Sequence, residues 1–229
     1  MTQTVEHACK PFPLIAPYPL RERDLDPRML AVAVLEGEPL ALPLVCASPA
    51  DLGIRVATFA YTGGLQTALH MALRDDLAYK QARQQAAFLK EVPALWRYRN
   101  RYGAHDEGKV DHELRLRAQC PSMGQVLFRA DRWQGFEEPK VGSSVVYGRA
   151  MSSTLDPWVA ASHMGKHGRD GWFMILTVGS LHLSTFVFDS AKNQALSHEF
   201  EILFARGVRL TCTSVHADHS MRTIEARLD

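Results

Sequence analysis

One stretch in the middle of the chain alternates arginine with aromatic or amide residues, in the order Trp-Arg-Tyr-Arg-Asn-Arg-Tyr from Trp96 to Tyr102. In an extended conformation this alternation places the three arginines on one face, about 6.5 to 7 Å apart by the strand rise. That interval is close to the spacing of successive phosphates on a nucleic-acid strand, and each guanidinium offers phosphate a planar bidentate fork. The aromatic side chains on the other face would stack on bases or anchor the segment to the core. The predicted nucleic-acid contacts here are Trp96, Arg97, Tyr98, Arg99, Arg101 and Tyr102.

Other cationic residues nearby favour the same interpretation. Two arginines share one face of a predicted strand at 112–118, two more lie just before Trp133, and the loop 164–171 holds three glycines that let cationic side chains approach a polyanion. These further predicted contacts are Arg115, Arg117, Arg129, Arg132, Lys166 and Arg169. Two alternatives stay open: the segment 96–102 is a helix end with solvated arginines and core aromatics, and the glycine loop is a flexible linker.

The distribution of charge supports a basic central band. The chain of 229 residues has 26 Lys+Arg and 25 Asp+Glu, and its net charge of +1 by itself argues against a dominant phosphate-binding surface. Residues 1–60 carry 5 basic and 7 acidic side chains, residues 61–169 carry 16 and 11, and residues 170–229 carry 5 and 7. The total is therefore the sum of −2, +5 and −2. A central band would face phosphate while the acidic flanks face protein neighbours.

Two groups of histidines and carboxylates could ligate a metal or supply a general base. They are His105, Asp106, Asp111 and His112 in one group and His216, Asp218 and His219 in the other. Because both groups fall in or beside predicted loops and strands, solvated loop histidines are the favoured interpretation. Serines and cysteines are available as nucleophiles, but no Gly-x-Ser-x-Gly elbow accompanies them. No catalytic residue, metal or cofactor is therefore predicted.

The cysteines and the N-terminal residues predict a cytoplasmic protein. The first 20 residues contain four prolines and several charged side chains, and they lack the apolar core of a signal peptide. No stretch offers the ~20 uninterrupted apolar residues of a membrane helix. The four cysteines lie far apart without a Cys-x-x-Cys pair, which predicts reduced structural thiols rather than a zinc site. They are Cys9, Cys46, Cys120 and Cys212.

Strands on either side of a helical segment would position these residues. After Gly63-Gly64, leucines at three- to five-residue spacing predict one or two helices that end near Pro93, with Asp75-Asp76 capping the second. Short apolar or alternating runs predict strands at 29–35, 40–47, 54–61, 112–118, 125–128, 143–147, 172–178, 181–188, 199–205, 208–214 and 223–228.

The pairing and grouping of these elements predict the fold class. Strands 172–178 and 181–188 are predicted to form a hairpin at Gly179-Ser180, and strands 199–205 and 208–214 meet at Arg206-Gly207. The predicted class is α+β, mostly antiparallel strands with a helical segment in the first half. Residues 1–110 would hold the N-terminal strands and the helical segment, and residues 111–229 an antiparallel β-rich region that shares the same core.

Short motifs in the C-terminal half carry a family resemblance. Phe136-Glu-Glu-Pro139, followed by Gly142-Ser-Ser-Val-Val-Tyr-Gly148, is similar to a polar run and zinc-ligand turn, and Gly171-Trp-Phe-Met-Ile175 with Leu181-His-Leu-Ser-Thr185 is similar to a pair of strands. In this order of features the chain resembles the large-subunit-like protein of type IV CRISPR effector complexes. It departs from that family where Tyr147 stands in the turn that holds a zinc-binding cysteine, which puts the zinc in doubt.

The resemblance implies a function in antiviral defence. It implies a non-catalytic subunit of a CRISPR-type RNA-guided ribonucleoprotein, with RNA, DNA and other protein subunits as partners, that contacts the guide, the target backbone and a short DNA motif. Ser143 and Ser144 join the predicted contacts on this basis. Two alternatives remain, a guide-RNA-processing ribonuclease with a histidine base and a metal-dependent hydrolase built on the first histidine group.

Overall fold

The computed structural model of the chain describes residues 10–21, 45–58, 63–83, 91–100, 105–116, 119–133, 138–189 and 199–229. Within these ranges the protein is a mixed α+β fold, as the sequence predicts. No helix in the described ranges is long and apolar enough to cross a membrane.

The described strands are numbered in chain order. They are β1 Lys10–Phe12, β2 Leu20–Arg21, β3 Val45–Cys46, β4 Gln119–Pro121, β5 Val126–Arg132, β6 Ser144–Val146, β7 Met151–Thr154, β8 Gly171–Val178, β9 Thr185–Val187, β10 Glu201–Phe204, β11 Arg209–His216 and β12 Thr223–Leu228. The α-helices are α1 Pro49–Thr58, α2 Gly63–Asp75, α3 Leu77–Ala82, α4 Pro93–Asn100, α5 Glu107–Leu116 and α6 Pro157–Met164, and a 3₁₀ turn covers Gly168–Asp170.

Ten of the strands form one sheet in the order β1-β4-β9-β10-β7-β5-β8-β12-β11-β6. Its pairs are antiparallel except β1 with β4 and β8 with β12. Strands β2 and β3 form a separate antiparallel pair. This arrangement confirms the predicted class, and it sets β10, β7 and β5 side by side in the middle of the sheet.

The main core packs helices α1 and α2 against the central strands. Leu52, Leu69, Phe128 and Phe173 are 0 to 1% exposed and belong to one apolar cluster. In α1, a Cβ on Gly53 would lie 2.6 Å from the Phe128 ring, so the close approach of this helix to β5 requires glycine. Strand β8 is apolar on both faces because each face is covered.

A second apolar cluster holds α4 and α5 against β9 and β10. Leu95 and Tyr98 of α4 and Leu114 of α5 are buried with Phe188 and Leu203. This packing fixes α4 beside the start of β10, where it brings one side chain of the helix next to two glutamates.

The extended conformation predicted for residues 96–102 is wrong where the structure describes it, because Pro93–Asn100 is a helix. Ala94, Leu95 and Tyr98 have helical spacing and are buried, so packing selects the helix. Residues two apart on a helix point about 200° from each other. Arg97 is accordingly exposed and Arg99 buried, and the predicted row of arginines does not form. Arg101 and Tyr102 lie outside the described residues.

Two other predicted strands are helices. Residues 112–118 were expected to alternate along a strand, but α5 runs to Leu116, and its Arg115 pairs with Asp111 one helical turn away at 3.0 Å. Arg117 lies outside the described residues. The predicted strand 54–61 is also wrong over its described part, since α1 extends to Thr58. In both segments the apolar residues have helical spacing, but a few of them also alternate with polar residues as they would in a strand.

The strands predicted in the C-terminal half are present, but the pairing is different. Strand β8 pairs with β5 and β12 rather than with β9, and β10 pairs with β7 and β9 rather than with β11. The predicted hairpin at Gly179-Ser180 is therefore wrong. The prediction of one or two helices after Gly63-Gly64 is confirmed by α2 and α3, and Asp76 caps α3 by accepting from the Tyr79 amide at 2.8 Å. The predicted end near Pro93 is wrong, because α4 begins at that proline.

The prediction of four reduced thiols is wrong for Cys120, which is disulfide-bonded. Cys46 and Cys212 are buried and form no disulfide, as expected for structural thiols.

Candidate active site

A cavity of about 440 Å³ opens over the middle of the sheet, where β5, β7 and β10 lie side by side. Helices α4 and α6 contribute its walls. Charged and hydroxyl side chains dominate its polar lining, namely Tyr98, Arg99, Arg129, Asp131, Arg149, Ser152, Ser153, Thr154, His163, Lys166, His167, Glu199 and Glu201. A concave site with convergent polar groups is typical of ligand-binding and active sites.

The register of the three strands brings their functional residues together. Glu201 lies opposite Thr154 in the antiparallel pair of β10 and β7, and Phe128 of β5 lies opposite the same threonine. Ser152 and Arg129 therefore lie within one or two residues of this line of pairing. One carboxylate, one hydroxyl and one guanidinium thus come from three neighbouring strands.

Glu201 is the most deeply placed acid of the cavity, with 8% of its side chain exposed. The Ser152 hydroxyl donates a hydrogen bond to its Oε1 at 2.6 Å. The guanidinium of Arg99 donates to its Oε2. Burial raises the pKa of the Glu201 carboxyl above its ordinary value, and Arg99 offsets only part of that effect.

Glu199 lies two residues earlier and nearer the surface, with 22% of its side chain exposed. Its Oε2 is 2.6 Å from Nη1 of the same arginine, Arg99. The Thr154 hydroxyl donates to the Glu199 carbonyl oxygen and fixes the chain just before β10. The two carboxylates are therefore linked by one guanidinium and anchored to β7.

Phe200, between the two glutamates, has a φ of 42° although it is not glycine. It is fully buried, and its ring centroid lies 5.2 Å from that of His70 and 5.5 Å from that of Tyr79. A left-handed residue of this size costs roughly 1 to 3 kcal/mol and is held in place by its surroundings. Backbone strain of this kind concentrates at functional sites, and here the strained residue lies between the two glutamates.

Arg129 forms part of the cavity wall rather than a free cation. Its guanidinium donates to the Ser152 carbonyl and to the Asp131 carboxylate, and it lies 5.2 Å from the Tyr147 ring centroid. Burial alone would raise the pKa of Asp131, but Arg129 outweighs it and holds that pKa below its usual range. The arginine ties β5 to β7 directly behind the serine.

Helix α6 forms another wall, and its N-terminus is fixed from α2. The Asp156 carboxylate accepts from the Trp158 amide at 2.8 Å and lies 2.5 Å from Nε2 of His70. Further along α6, burial together with the nearby charge of Lys166 lowers the pKa of His163, which favours a neutral imidazole at pH 7.

The rim of the cavity has a different electrostatic character. Arg149 and Lys166 are both exposed, and neither has a carboxylate within ion-pair distance among the described residues. Two cations without internal partners at the mouth of a cavity can bind a polyanionic substrate.

The cavity brings together only some of the side chains predicted as nucleic-acid contacts. Tyr98, Arg99, Arg129 and Lys166 line it. Trp96, Arg97, Arg115 and Arg132 are exposed and do not line it, and Ser143 and Ser144 lie at the edge strand β6, where the Ser143 hydroxyl closes a turn with Lys140. The side chain of Arg169 lies outside the described residues.

The residues that the sequence analysis missed are Glu199, Glu201, Ser152 and Arg149. Ser152 stands in the sequence only as one of many available serines. A usable signal is the pair of carboxylates at 199 and 201 at the start of a predicted strand, since alternate strand positions keep two acids near each other. The partner hydroxyl is 49 residues away, and only strand pairing reveals it.

Neither histidine group forms a convincing metal centre. In the first, His105 pairs with Glu107 at 2.9 Å and Asp111 pairs with two arginines. In the second, ligand atoms of His216, Asp218 and His219 lie within 4.8 Å of one another, the one group of this kind in the described part of the chain. Its two imidazole rings are stacked at an angle of 12°, so their in-plane lone pairs lie in two nearly parallel planes and do not converge on one ion.

Comparisons with known proteins identify the fold. No family model and no curated protein matches the sequence. Among solved structures, the chain is similar to the Vis toxin, an ADP-ribosyltransferase from Vibrio splendidus, with a TM-score of 0.50, 14% identity and coverage of 74% of this chain and 87% of the toxin. A structure of Vis with an inhibitor gives a TM-score of 0.52 at 14% identity and covers 77% and 89%. The chain has the fold of these ADP-ribosyltransferases.

This fold overturns the interpretation of the chain as a CRISPR component. The resemblance to the type IV large-subunit-like protein rests on short motifs whose strands do not pair as it implies, since β8 and β9 are not neighbours. The predictions of a non-catalytic subunit in antiviral defence, with RNA, DNA and ribonucleoprotein partners, are therefore wrong, because the structures that share the fold are enzymes of another class. The same finding contradicts the guide-processing ribonuclease and the metal-dependent hydrolase.

Proposed function

We propose that the chain is an ADP-ribosyltransferase, which transfers the ADP-ribosyl group of NAD to an acceptor nucleophile. The observation that carries the proposal is the buried Glu201 carboxylate, which accepts a hydrogen bond from Ser152 at 2.6 Å inside a cavity. The rim of this cavity holds two cations that have no acidic partner among the described residues. The shared fold with the ADP-ribosyltransferase Vis adds support.

The reaction breaks the bond between the ribose C1′ and the nicotinamide nitrogen. The bonding electron pair leaves with nicotinamide, which becomes neutral, and positive charge develops on C1′ and the ring oxygen, as in other glycosyl transfers. A carboxylate already oriented in a water-poor site stabilises that charge more than water does. Glu201 has this arrangement, because Ser152 and Arg99 fix both of its oxygens.

The substrate diphosphate carries two negative charges and requires cations that are not already neutralised. Arg149 and Lys166 meet this requirement, whereas Arg129 and Arg99 are committed to carboxylates of the site. A dinucleotide held by its phosphates at the rim would direct its nicotinamide end toward Glu201 deeper in the cavity. We infer this orientation because the cations that could bind the diphosphate lie at the rim and Glu201 lies deeper.

The acceptor approaches from the open side, where Glu199 is the more accessible carboxylate. The acceptor lone pair forms the new bond to C1′, and the proton of its N–H or O–H group passes to a base. Glu199 is placed to accept that proton. With water in the same position the products are free ADP-ribose and nicotinamide.

The test uses NAD labelled in its adenylate part. The purified chain is incubated with labelled NAD and total cell protein, and label bound to protein is measured after denaturing electrophoresis. We expect label to be transferred by the wild-type chain and lost with Glu201→Gln, while Glu138→Gln, an exposed acid outside the cavity, retains activity. Absence of both transfer and nicotinamide release from the folded wild type would overturn the proposal.

A further inference from the structure

Arg99 occupies an unusual position for an arginine, between the two glutamates of the candidate active site. Its Nη1 atom is 2.6 Å from Oε2 of Glu199 and is also bonded to Oε2 of Glu201. Both carboxylates line the cavity, and so does the guanidinium. A single guanidinium from a helix therefore contacts one acid at the start of β10 and another just before it.

The position of Arg99 is determined by packing. Its side chain is 5% exposed, and the guanidinium carbon lies 4.9 Å from the Phe188 ring centroid. The neighbouring Tyr98 and Leu95 fix α4 in the second apolar cluster. Burial and packing thus determine where the guanidinium lies, in contrast to a solvated surface arginine.

The electrostatics of the site require such a cation. Glu201 is buried, and Glu199 adds a second negative charge nearby, so both effects oppose ionisation of Glu201. Ser152 supplies one neutral hydrogen bond, which does not balance a buried charge. Among the described side chains that contact Glu201, Ser152 and Tyr98 are neutral and Arg99 carries positive charge.

We propose that Arg99 is a positioning residue for the transfer reaction, which keeps Glu201 ionised and turned toward the cavity. This inference rests on the proposed function of the site. Arg99 acts through Glu201 and does not itself contact the reacting bond, so its loss lowers turnover more than it weakens substrate binding.

The experiment compares Arg99→Met and Arg99→Lys with Arg97→Met, which removes an exposed arginine two residues away on the same helix. Nicotinamide release from NAD is measured from pH 5 to pH 9, and circular dichroism confirms that each variant is folded. We expect Arg99→Met to shift the acid limb of kcat/KM to higher pH, with a loss of about tenfold or more at pH 6 that narrows as the pH rises. Arg99→Lys should recover part of the activity, and Arg97→Met should match the wild type.

A second measurement separates this inference from the proposed function. Carbon-13 NMR of labelled glutamate carboxyls, with the Glu201 signal assigned from Glu201→Gln, reports the pKa of Glu201 without any turnover. A higher Glu201 pKa in Arg99→Met supports the electrostatic role even if the wild type releases no nicotinamide, a result that would contradict the proposed function alone. An unchanged Glu201 pKa and pH profile, or a more active Arg99→Met variant, would overturn the role given to Arg99.

Discussion

The charged side chains at the base of the cavity have ion-pair partners, whereas the described cations at its rim do not. At the base, Glu199, Glu201 and Arg99 are in contact, and a hydroxyl of β7 completes the set. At the rim, Arg149 and Lys166 have no acidic partner among the described residues. Groups that are already paired are oriented in advance for chemistry, whereas unpaired cations remain available for a substrate. Under the proposed function, the reaction takes place at the base and the donor binds at the rim.

The largest expected effect comes from removing the charge at the base. Glu201→Gln keeps the size of the side chain but removes the carboxylate that we propose stabilises charge on C1′. We expect kcat for nicotinamide release to fall by about 10² to 10³, the scale seen when a preorganised electrostatic group is lost. Steady-state kinetics at saturating NAD measures this. If Glu201→Gln changes only KM, the base is a binding region and the contrast with the rim fails.

A smaller effect is expected at the rim. Removal of either cation by Arg149→Ala or Lys166→Ala should raise KM for NAD by about tenfold, equivalent to ~1.4 kcal/mol for a charge-assisted contact, with kcat little changed. The salt dependence of KM should weaken in the same variants, since fewer phosphate contacts remain. A fall in kcat at unchanged KM would place these cations at the reacting bond instead.

The hydroxyl of Ser152 should contribute less than either charge. Ser152→Ala removes one neutral donor from Glu201, worth ~1 kcal/mol, so we expect kcat to fall about fivefold. Ser144→Ala, on the edge strand β6 outside the cavity, provides the matched control. Equal kinetics for the two serine variants would show that the 2.6 Å contact of Ser152 has no part in the reaction.

The smallest effect on nicotinamide release is expected at Glu199, whose loss should affect protein acceptors more than water. Because Glu199 is nearer the surface than Glu201, Glu199→Gln should reduce transfer to protein acceptors while nicotinamide release to water changes by no more than about twofold. The ratio of labelled protein to released nicotinamide gives this directly. An equal loss of both products would mean that the two carboxylates act as one unit.

Local sequence patterns predict much of the fold. The apolar runs at 172–178 and 223–228 and the leucine spacing after Gly63 predict strands and helices that the structure contains. The segment at 93–100 fails because an Arg-aromatic alternation and a helical apolar face coexist there, and burial of Leu95 and Tyr98 selects the helix.

The candidate site could not be assembled from local patterns. Ser152 and Glu201 are 49 residues apart, and Arg99 is 102 residues from Glu201. Their contact depends on the pairing of β7 with β10 and on the packing of α4, both of which are non-local. Several basic residues of the central band form ion pairs with acids in the structure. Net charge alone therefore overestimates the number of cations that a substrate can reach.

The central claim is that the base of the cavity breaks the bond between ribose and nicotinamide. The most direct test is a time course of nicotinamide release from NAD, measured by liquid chromatography for the wild type, Glu201→Gln and the exposed control Glu138→Gln. We expect release by the wild type and the control and a loss of at least about a hundredfold with Glu201→Gln. Equal rates for all three folded proteins, or no release above the enzyme-free background, would contradict it.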